Sequence, residues 1–377
     1  MAIFRHLFVI MKATLAFSTL KRLPYLLEAK GKLIKKSSWL VLLLAFLLVL
    51  TSCDGLIPPD ELSPTGNKSR ADFTTNSGSG DPLKIVAGSE MKVLEPIIEE
   101  YTKKSGKRIQ MDYLGSLDIM RLIEQEENPY DAVWPASLLW LNMGDTRHTL
   151  KHMETIAVTP VIFGIRQSLA KELGFAGRND VTMAEIEQSI TSGKLKFAMT
   201  SATQSNSGAS AYLAFLTALS RTPQDGITKE DLEDPVLQER ITAFLSGVNR
   251  SSGSSNWLVD LFLQGGYDAM VNYEQLIIQT NQELKRRGQE TLTAVYPVDG
   301  ISLSDSPLAY VDKGDAEKEK DFLAFQAYLL SDEGQQQIER TGKRNAFGKI
   351  SPANLSIFKK EWGIQADRLL SPIRLPQ

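Results

Sequence analysis

The chain has 377 residues, with 42 basic and 45 acidic side chains and a net charge of −3. Positions 1–52 hold eight of the basic residues and one acidic residue, Glu28, so the remainder carries 34 against 44, a net of −10. Such an acidic body is a poor partner for nucleic acid or an anionic membrane surface, and with Cys53 as its only cysteine it can build neither a disulfide framework nor a thiolate metal site.

In chain order, the first feature is a targeting segment. Lys30, Lys32, Lys35 and Lys36 precede an uncharged run from Trp39 to Leu50, which ends in Leu50-Thr51-Ser52-Cys53. A basic region, a short apolar region and small residues at the cut are the parts of a secretory signal. The run is too short for a transmembrane anchor, which needs roughly 20 apolar residues. With Cys53 directly after the cut, residues 1–52 resemble the bacterial lipoprotein signal. That resemblance implies a diacylglycerol on Cys53 and a protein tethered to the cell membrane, working outside the cytoplasm. Asp54 resembles the inner-membrane retention residue of some lipoproteins and equally fits ordinary linker chemistry, so a periplasmic and an outer-face location both stay open. Residues 53–82 read as a flexible tether. They are rich in Pro, Ser, Gly, Asn and Asp, with Leu56, Ile57, Leu62 and Phe73 as the larger apolar groups, too few to offset backbone ordering.

Order is expected from Leu83. Leu83–Ala87 is an apolar β-branched run, and Leu94, Ile97, Ile98 and Tyr101 follow at helical spacing up to Ser105-Gly106. Ile109–Tyr113 reads as a strand, Ile119, Leu122 and Ile123 as a helix face, and Tyr130–Trp134 as a third strand. Strand, turn and helix in repetition predict a parallel sheet wrapped by helices. Val158–Ile165 and Lys196–Thr200 are strand-like, and Thr182-x-x-Glu185 is a capping box opening a helix to about Ser192. Helices are predicted over Gly208–Leu219, Val236–Leu245, Asn256–Leu263, Glu274–Arg287 and Glu317–Leu330. Strands are predicted over Tyr267–Val271, Thr291–Tyr296 and Ser306–Val311. There is no internal repeat.

Five segments carry a resemblance. Ala157–Ile165 looks like the first crossover strand of type II periplasmic solute-binding proteins, and Tyr296-Pro297-Val298-Asp299-Gly300 through Tyr310 looks like the return crossover. Thr200–Ser210 resembles that superfamily's Ser-rich turn, and Met270–Glu274 its Tyr-Glu strand end. Leu329–Arg344 resembles its closing helix and Gly-x-Arg turn, with Asn345 where proline is usual. The likeness spans roughly Leu83 to Asn354. It implies an α/β fold of two lobes, each a mixed sheet wrapped by helices, joined by two crossover strands at a hinge, with a ligand cleft between. Lobe one is expected over 83–157 and 304–355, lobe two over 158–303, and 356–377 as a C-terminal extension. The implied function is capture of a small polar solute for an ABC permease, without catalysis or cofactor, by a monomer. The alternative is a sensing or scaffold lipoprotein of the same fold that docks a partner without transport.

Ligands gather outside the carboxyl ends of strands in open α/β sheets. That rule selects the turns at Ser89, Ser116, Trp134–Ser137 and Ser201–Ser207. Helix starts there offer free N–H donors. For Ser89, Ser116 and Ser137, plain helix capping explains the residue as well. One cap needs one hydroxyl, whereas Thr203, Ser205 and Ser207 come with Gln204 and Asn206, so this turn is a candidate ligand contact. Tyr273-Glu274 is a second candidate: the carboxylate can receive an ammonium, hold a metal or cap the next helix. Glu90, Glu274, Asp299 and Asp305 near the presumed cleft argue against a bare dianion, and the best turns contain no Arg or Lys. Trp134 and Trp257 are candidates for an aromatic wall or for core. His148 and His152 have helical i,i+4 spacing but lie in a polar stretch without the H-E-x-x-H glutamate, so surface histidines are favoured over a zinc site. No G-x-S-x-G elbow or phosphate loop occurs, and a nucleophile with a nearby base is missing.

Overall fold

A computed structural model describes residues 72–221 and 227–368. The apolar run at 39–50 and Cys53 lie outside these residues. The first half of the described chain runs β1 (Phe73–Thr74), β2 (Ser79–Gly88), α1 (Glu95–Ser105), β3 (Lys107–Leu114), α2 (Ser116–Ile123), β4 (Ala132–Trp134), α3 (Leu138–Gly144) and β5 (Leu150–Thr155). It continues with β6 (Thr159–Arg166), α4 (Gln167–Glu172), α5 (Met183–Thr191), β7 (Phe197–Thr200), α6 (Asn206–Leu219), α7 (Lys229–Glu233), α8 (Pro235–Leu245) and β8 (Val248–Ser252). The last part holds α9 (Ser255–Leu263), β9 (Ala269–Tyr273), α10 (Glu274–Arg286), β10 (Leu292–Val295), β11 (Ser302–Ser304), β12 (Pro307–Val311), α11 (Ala316–Leu330) and α12 (Asp332–Arg340).

These strands form two mixed sheets, as the α/β reading expected. Sheet one has the order β1-β3-β2-β4-β12-β5, with β2 parallel to β3 and β4, and β12 antiparallel to both its neighbours. Sheet two has the order β10-β6-β9-β7-β8, with β11 also pairing β6. The parallel pairs arise where strand, helix and strand alternate, because a parallel neighbour needs a crossover connection. In sheet one, Ile85, Met111, Trp134, Tyr310, Phe322 and Phe325 share one buried cluster, so β12 and α11 return from late in the chain to complete the first core. Each such side chain, fully buried, stabilises by roughly 1.5–3 kcal/mol. Helix α1 buries Ile97, Ile98 and Tyr101 and stops at Gly106, whose φ of 72° lets its N–H turn back to Thr102 O at 2.9 Å.

The chain passes between the sheets twice, through Ile156–Val158 and through Asp305-Ser306. The two passages touch: Ile156 N–H donates to Ser306 O at 3.3 Å. Ser306 sits in the left-handed region at φ 40°, uncommon for a residue with a Cβ. Its conformation is held by its N–H on Ala136 O at 3.0 Å and by Trp134 Nε1–H on its carbonyl at 3.0 Å. After α12, Arg344 and Val158 exchange backbone bonds of 2.9 and 3.1 Å, adding a third link. Beyond it, Phe358, Trp362 and Ile364 pack into the core of sheet two. Gly363 allows that segment to press against β10, since a Cβ there would meet Ala294 O at 2.6 Å.

Two expectations are corrected, and several elements were not foreseen. Order begins before Leu83: β1 pairs antiparallel with β3, and β2 starts at Ser79, because backbone pairing in an edge strand does not need an apolar side chain. His148 and His152 are not on a helix. His148 lies in the turn before β5 and His152 within it, both at positive φ, and His152 Nε2 lies 2.7 Å from Glu319 Oε1. Strands β5, β8 and β11 and helices α4 and α7 were not predicted, since their side chains are largely polar or their runs short.

Candidate functional site

Most α-helices here start under a side-chain cap: Ser137, Thr182, Thr228, Asp234, Ser254, Asp315 and Ser331 each accept from their helix's first turn. Helices α1, α2, α4, α6 and α10 do not, and of these α2, α6 and α10 begin beside the place where the two sheets approach. Their first positions, Gly115, Ser205 and Tyr273, make no side-chain cap, and neither does Gly88 before the 3-10 turn Ser89–Leu94. Uncapped starts leave N–H donors and a partial positive charge. They follow the carboxyl ends of β3, β9 and β2, with Ser205 just past β7, which is where the open-sheet rule puts a ligand.

The hydroxyls at α6 are engaged with one another instead of with the helix end. Ser207 Oγ lies 2.7 Å from Thr200 Oγ1 and 2.8 Å from Ser255 Oγ. Ser205 Oγ lies 3.3 Å from Ser255 and 3.4 Å from Ser207. Asn206 Nδ2–H donates to Tyr273 OH at 3.0 Å, while its Oδ1 accepts from Trp140 Nε1–H at 2.6 Å and from Ser210 at 3.2 Å. All of these side chains are buried. Sheet one approaches closely. Trp140 comes from α3, Asn256 Nδ2–H donates to Ser89 O, and a Cβ on Gly115 would sit 2.2 Å from Gln204 O.

The sequence-selected residues therefore divide. Ser205, Asn206, Ser207 and Tyr273 form one buried polar cluster, and Ser89 is not bonded to it: its carbonyl accepts from Asn256 Nδ2–H. Ser116 is spent on the backbone, accepting from Ala136 N–H at 3.0 Å. Thr203 is half-buried and bonds Ser201 within the turn, 3.0 Å between hydroxyls. Trp134 is fully buried, its indole on Ser306 O and its ring edge-on to Phe325. Trp257 is exposed on α9.

The four acidic residues also divide. Asp299 Oδ1 accepts from Met183 N–H at 2.8 Å, and Asp305 Oδ1 from Leu138 N–H at 2.9 Å, so both serve helix starts. Burial raises the Asp305 carboxyl above its usual range. Both Glu274 oxygens are taken by Arg344 at 2.8 and 2.9 Å, with Tyr296 O–H adding a bond of 2.5 Å. Burial works against the Arg344 charge, but pairing with Glu274 outweighs it and raises the guanidinium further. Glu90 differs: its Oε1 is buried without a hydrogen-bond partner. Burial pushes its carboxyl above the usual range, opposed by the charge of Lys343. Lys343 Nζ is likewise buried and unpartnered, and burial brings the ammonium down to about 8. Tyr273 is pushed well above its ordinary value by burial and then by Glu90, which keeps it a neutral hydroxyl.

Sequence reasoning did not single out Lys343, Gln275, Ser255 and Trp140. A useful signal was Lys343 itself, a lysine directly after Gly342 in the turn that resembled the Gly-x-Arg motif. A cavity of about 340 Å³ lies beside the cluster, lined by Ser137, Leu138, Asn142, Ser210, Leu213 and Asp305 among others. Ser210 links it to Asn206, but the hydroxyls and Glu90 do not line it. Among the described residues no group of His, Cys, Asp and Glu fits a metal ion, and no helix is long and apolar enough to cross a membrane.

Known proteins share the fold. Solved structures similar to the chain include the sulfate-binding protein SubI of Mycobacterium tuberculosis H37Rv, at 18% identity and TM-score 0.52, covering 78% of this chain and 94% of that one. A periplasmic thiamin-binding protein is similar at 11% identity and TM-score 0.57, over 75% and 89%. The fructose-6-phosphate-bound protein AfuA of Actinobacillus pleuropneumoniae is similar at 14% and 0.54, over 73% and 88%. At these identities the likeness carries the fold alone. No curated protein matches the sequence. The family profile described as bacterial extracellular solute-binding protein matches residues 83–344, more than half of the chain, and to that family the chain belongs.

Proposed function

We propose that this protein is a lipid-anchored, extracytoplasmic receptor that captures a small polar solute between two lobes and passes it to an ABC-type permease. The observation that carries the reading is the meeting of uncapped helix starts and buried hydroxyls where the two sheets approach, at Gly115, Ser205–Ser207 and Tyr273. A solute there is held by amide and hydroxyl hydrogen bonds, each adding direction without a formal charge. Capture needs only higher affinity for the closed arrangement, so no reacting group is required. Non-catalytic action is supported by the hydroxyl network itself: the serines bond one another and Thr200, and His152 stands away at Glu319. The lobes are taken as 72–157 with 304–355, and 158–303, meeting at the two passages around Val158 and Ser306.

The anchor rests on the Cys53 signal, and the permease on family membership. Native mass spectrometry of the full chain purified from its membrane tests the reading: a discrete added mass of a small molecule is expected, and it should be lost from Ser205→Ala/Ser207→Ala. A chain that never carries or takes up a small molecule, yet retains a membrane partner on purification, identifies a scaffold instead. Metabolic labelling with a fatty acid should mark the wild type and not Cys53→Ser.

A further inference from the structure

Inside the proposed cleft, three polar atoms are buried without partners: Glu90 Oε1, Gln275 Oε1 and Lys343 Nζ. They belong to neighbouring residues. Gln275 Nε2–H donates to the Glu90 carbonyl at 3.1 Å. The turn that carries Lys343 lies against the first turn of α10, since a Cβ on Gly342 would fall 3.6 Å from Gln275 Cα. Gly88 leaves room for the Glu90 side chain, which folds back so that a Cβ on residue 88 would sit 2.2 Å from Oε1.

Unpartnered charges are rare in protein interiors, because burial without compensation is unfavourable. Glu90 and Lys343 sense each other's charge yet form no ion pair, and for each the effect of burial exceeds that of the other's charge. The other acidic groups nearby, Glu274, Asp299 and Asp305, are bound within the fold. What is missing is therefore two donors, for Glu90 and Gln275, and one acceptor, for Lys343. A dianion meets repulsion at Glu90, a simple cation meets it at Lys343, and a neutral sugar leaves both charges uncompensated.

We propose that the solute is zwitterionic, with cationic N–H groups on Glu90 Oε1 and Gln275 Oε1 and a carboxylate on Lys343 Nζ. This rests on the receptor reading above and narrows it to a class. Free amino acids and their close relatives fit.

Calorimetry with the full chain in detergent, depleted of bound solute, tests it. The probes are the twenty amino acids, each matched to its deaminated and decarboxylated analogue, plus sulfate, phosphate and glucose. At least one zwitterion is expected to bind, with both analogues about 100-fold weaker or more, as for a buried charge left without its partner. Glu90→Gln should erase the preference over the deaminated analogue, and Lys343→Met that over the decarboxylated one. Because the readout is a ratio of affinities, a general weakening does not mimic it, and urea unfolding checks that both variants fold. Preferences that survive both substitutions overturn the roles of Glu90 and Lys343. Binding of sulfate, phosphate or glucose with no zwitterion overturns the class and leaves the receptor standing. Failure of every probe overturns the class, and the receptor reading is then decided separately by whether the purified chain carries a small molecule in native mass spectrometry.

Discussion

Arg344 shows how a single side chain can hold several parts of the molecule. It is fully buried, pairs with both oxygens of Glu274, and donates to the carbonyls of Gln365, Ala366 and Arg368. Removing one partner of such a pair leaves the other charged and buried, which costs about 3–5 kcal/mol. Arg344→Ala is expected to lower urea stability by that amount, and Glu274→Gln to lower stability before it touches solute affinity. A Glu274→Gln chain of unchanged stability that has lost its solute makes Glu274 a ligand contact after all. Lys343, one residue earlier, gives a signed pH dependence. Burial lowers its ammonium from 10.5 to about 8 on folding, opposed by the charge of Glu90. Between about pH 8 and 10.5 the unfolded chain keeps a proton that the folded chain has released, so stability rises with pH across that window and is lost as pH falls through 8. The urea midpoint of the wild type, measured against Lys343→Met, should therefore climb from pH 8 to 10.5. A flat difference means the ammonium is solvated.

At the scale of elements, Gly115 stands where α2 meets the α6 turn. Its backbone, φ −65° and ψ 144°, suits any residue, so only the 2.2 Å approach of Gln204 O calls for glycine. Gly115→Ala is expected to fold normally and to wedge the two sheets apart, weakening solute binding about 10-fold or more, the scale of overpacking. Binding measured by calorimetry alongside urea unfolding separates wedge from misfolding. Elements with regular apolar spacing were legible in the sequence: the Thr182–Glu185 capping box is present with both its bonds, and α6 and α10 lie where the apolar faces put them. Strand β5 was not legible, since Lys151, His152, Met153 and Glu154 are exposed on an edge and show no apolar alternation. The serines at 205 and 207 were legible because one helix start had more hydroxyls than a cap uses. Lys343 and Gln275 were not, because each is one polar residue whose neighbours lie far off in sequence.

For the whole molecule, both sheets are sewn from distant pieces, and the third link at Val158–Arg344 precedes a C-terminal strap. Trp362 is buried on sheet two and Arg368 donates to Tyr296 O at 3.0 Å, so residues 355–368 cover a face that would otherwise be wet. Trp362→Ala is expected to cost about 3–5 kcal/mol in urea. A far smaller loss would show the strap to be dispensable.

Trp140 adds a practical consequence. Its indole is buried, with Nε1–H on Asn206 across the junction between the sheets, whereas Trp134 and Trp362 are locked in separate cores and Trp257 is already in water. Parting the lobes would hydrate Trp140 while leaving those three unchanged. On the proposed two-lobed reading this makes an optical gauge: ultraviolet emission should shift to the red on opening and back to the blue on loading, and Trp140→Phe should silence the signal.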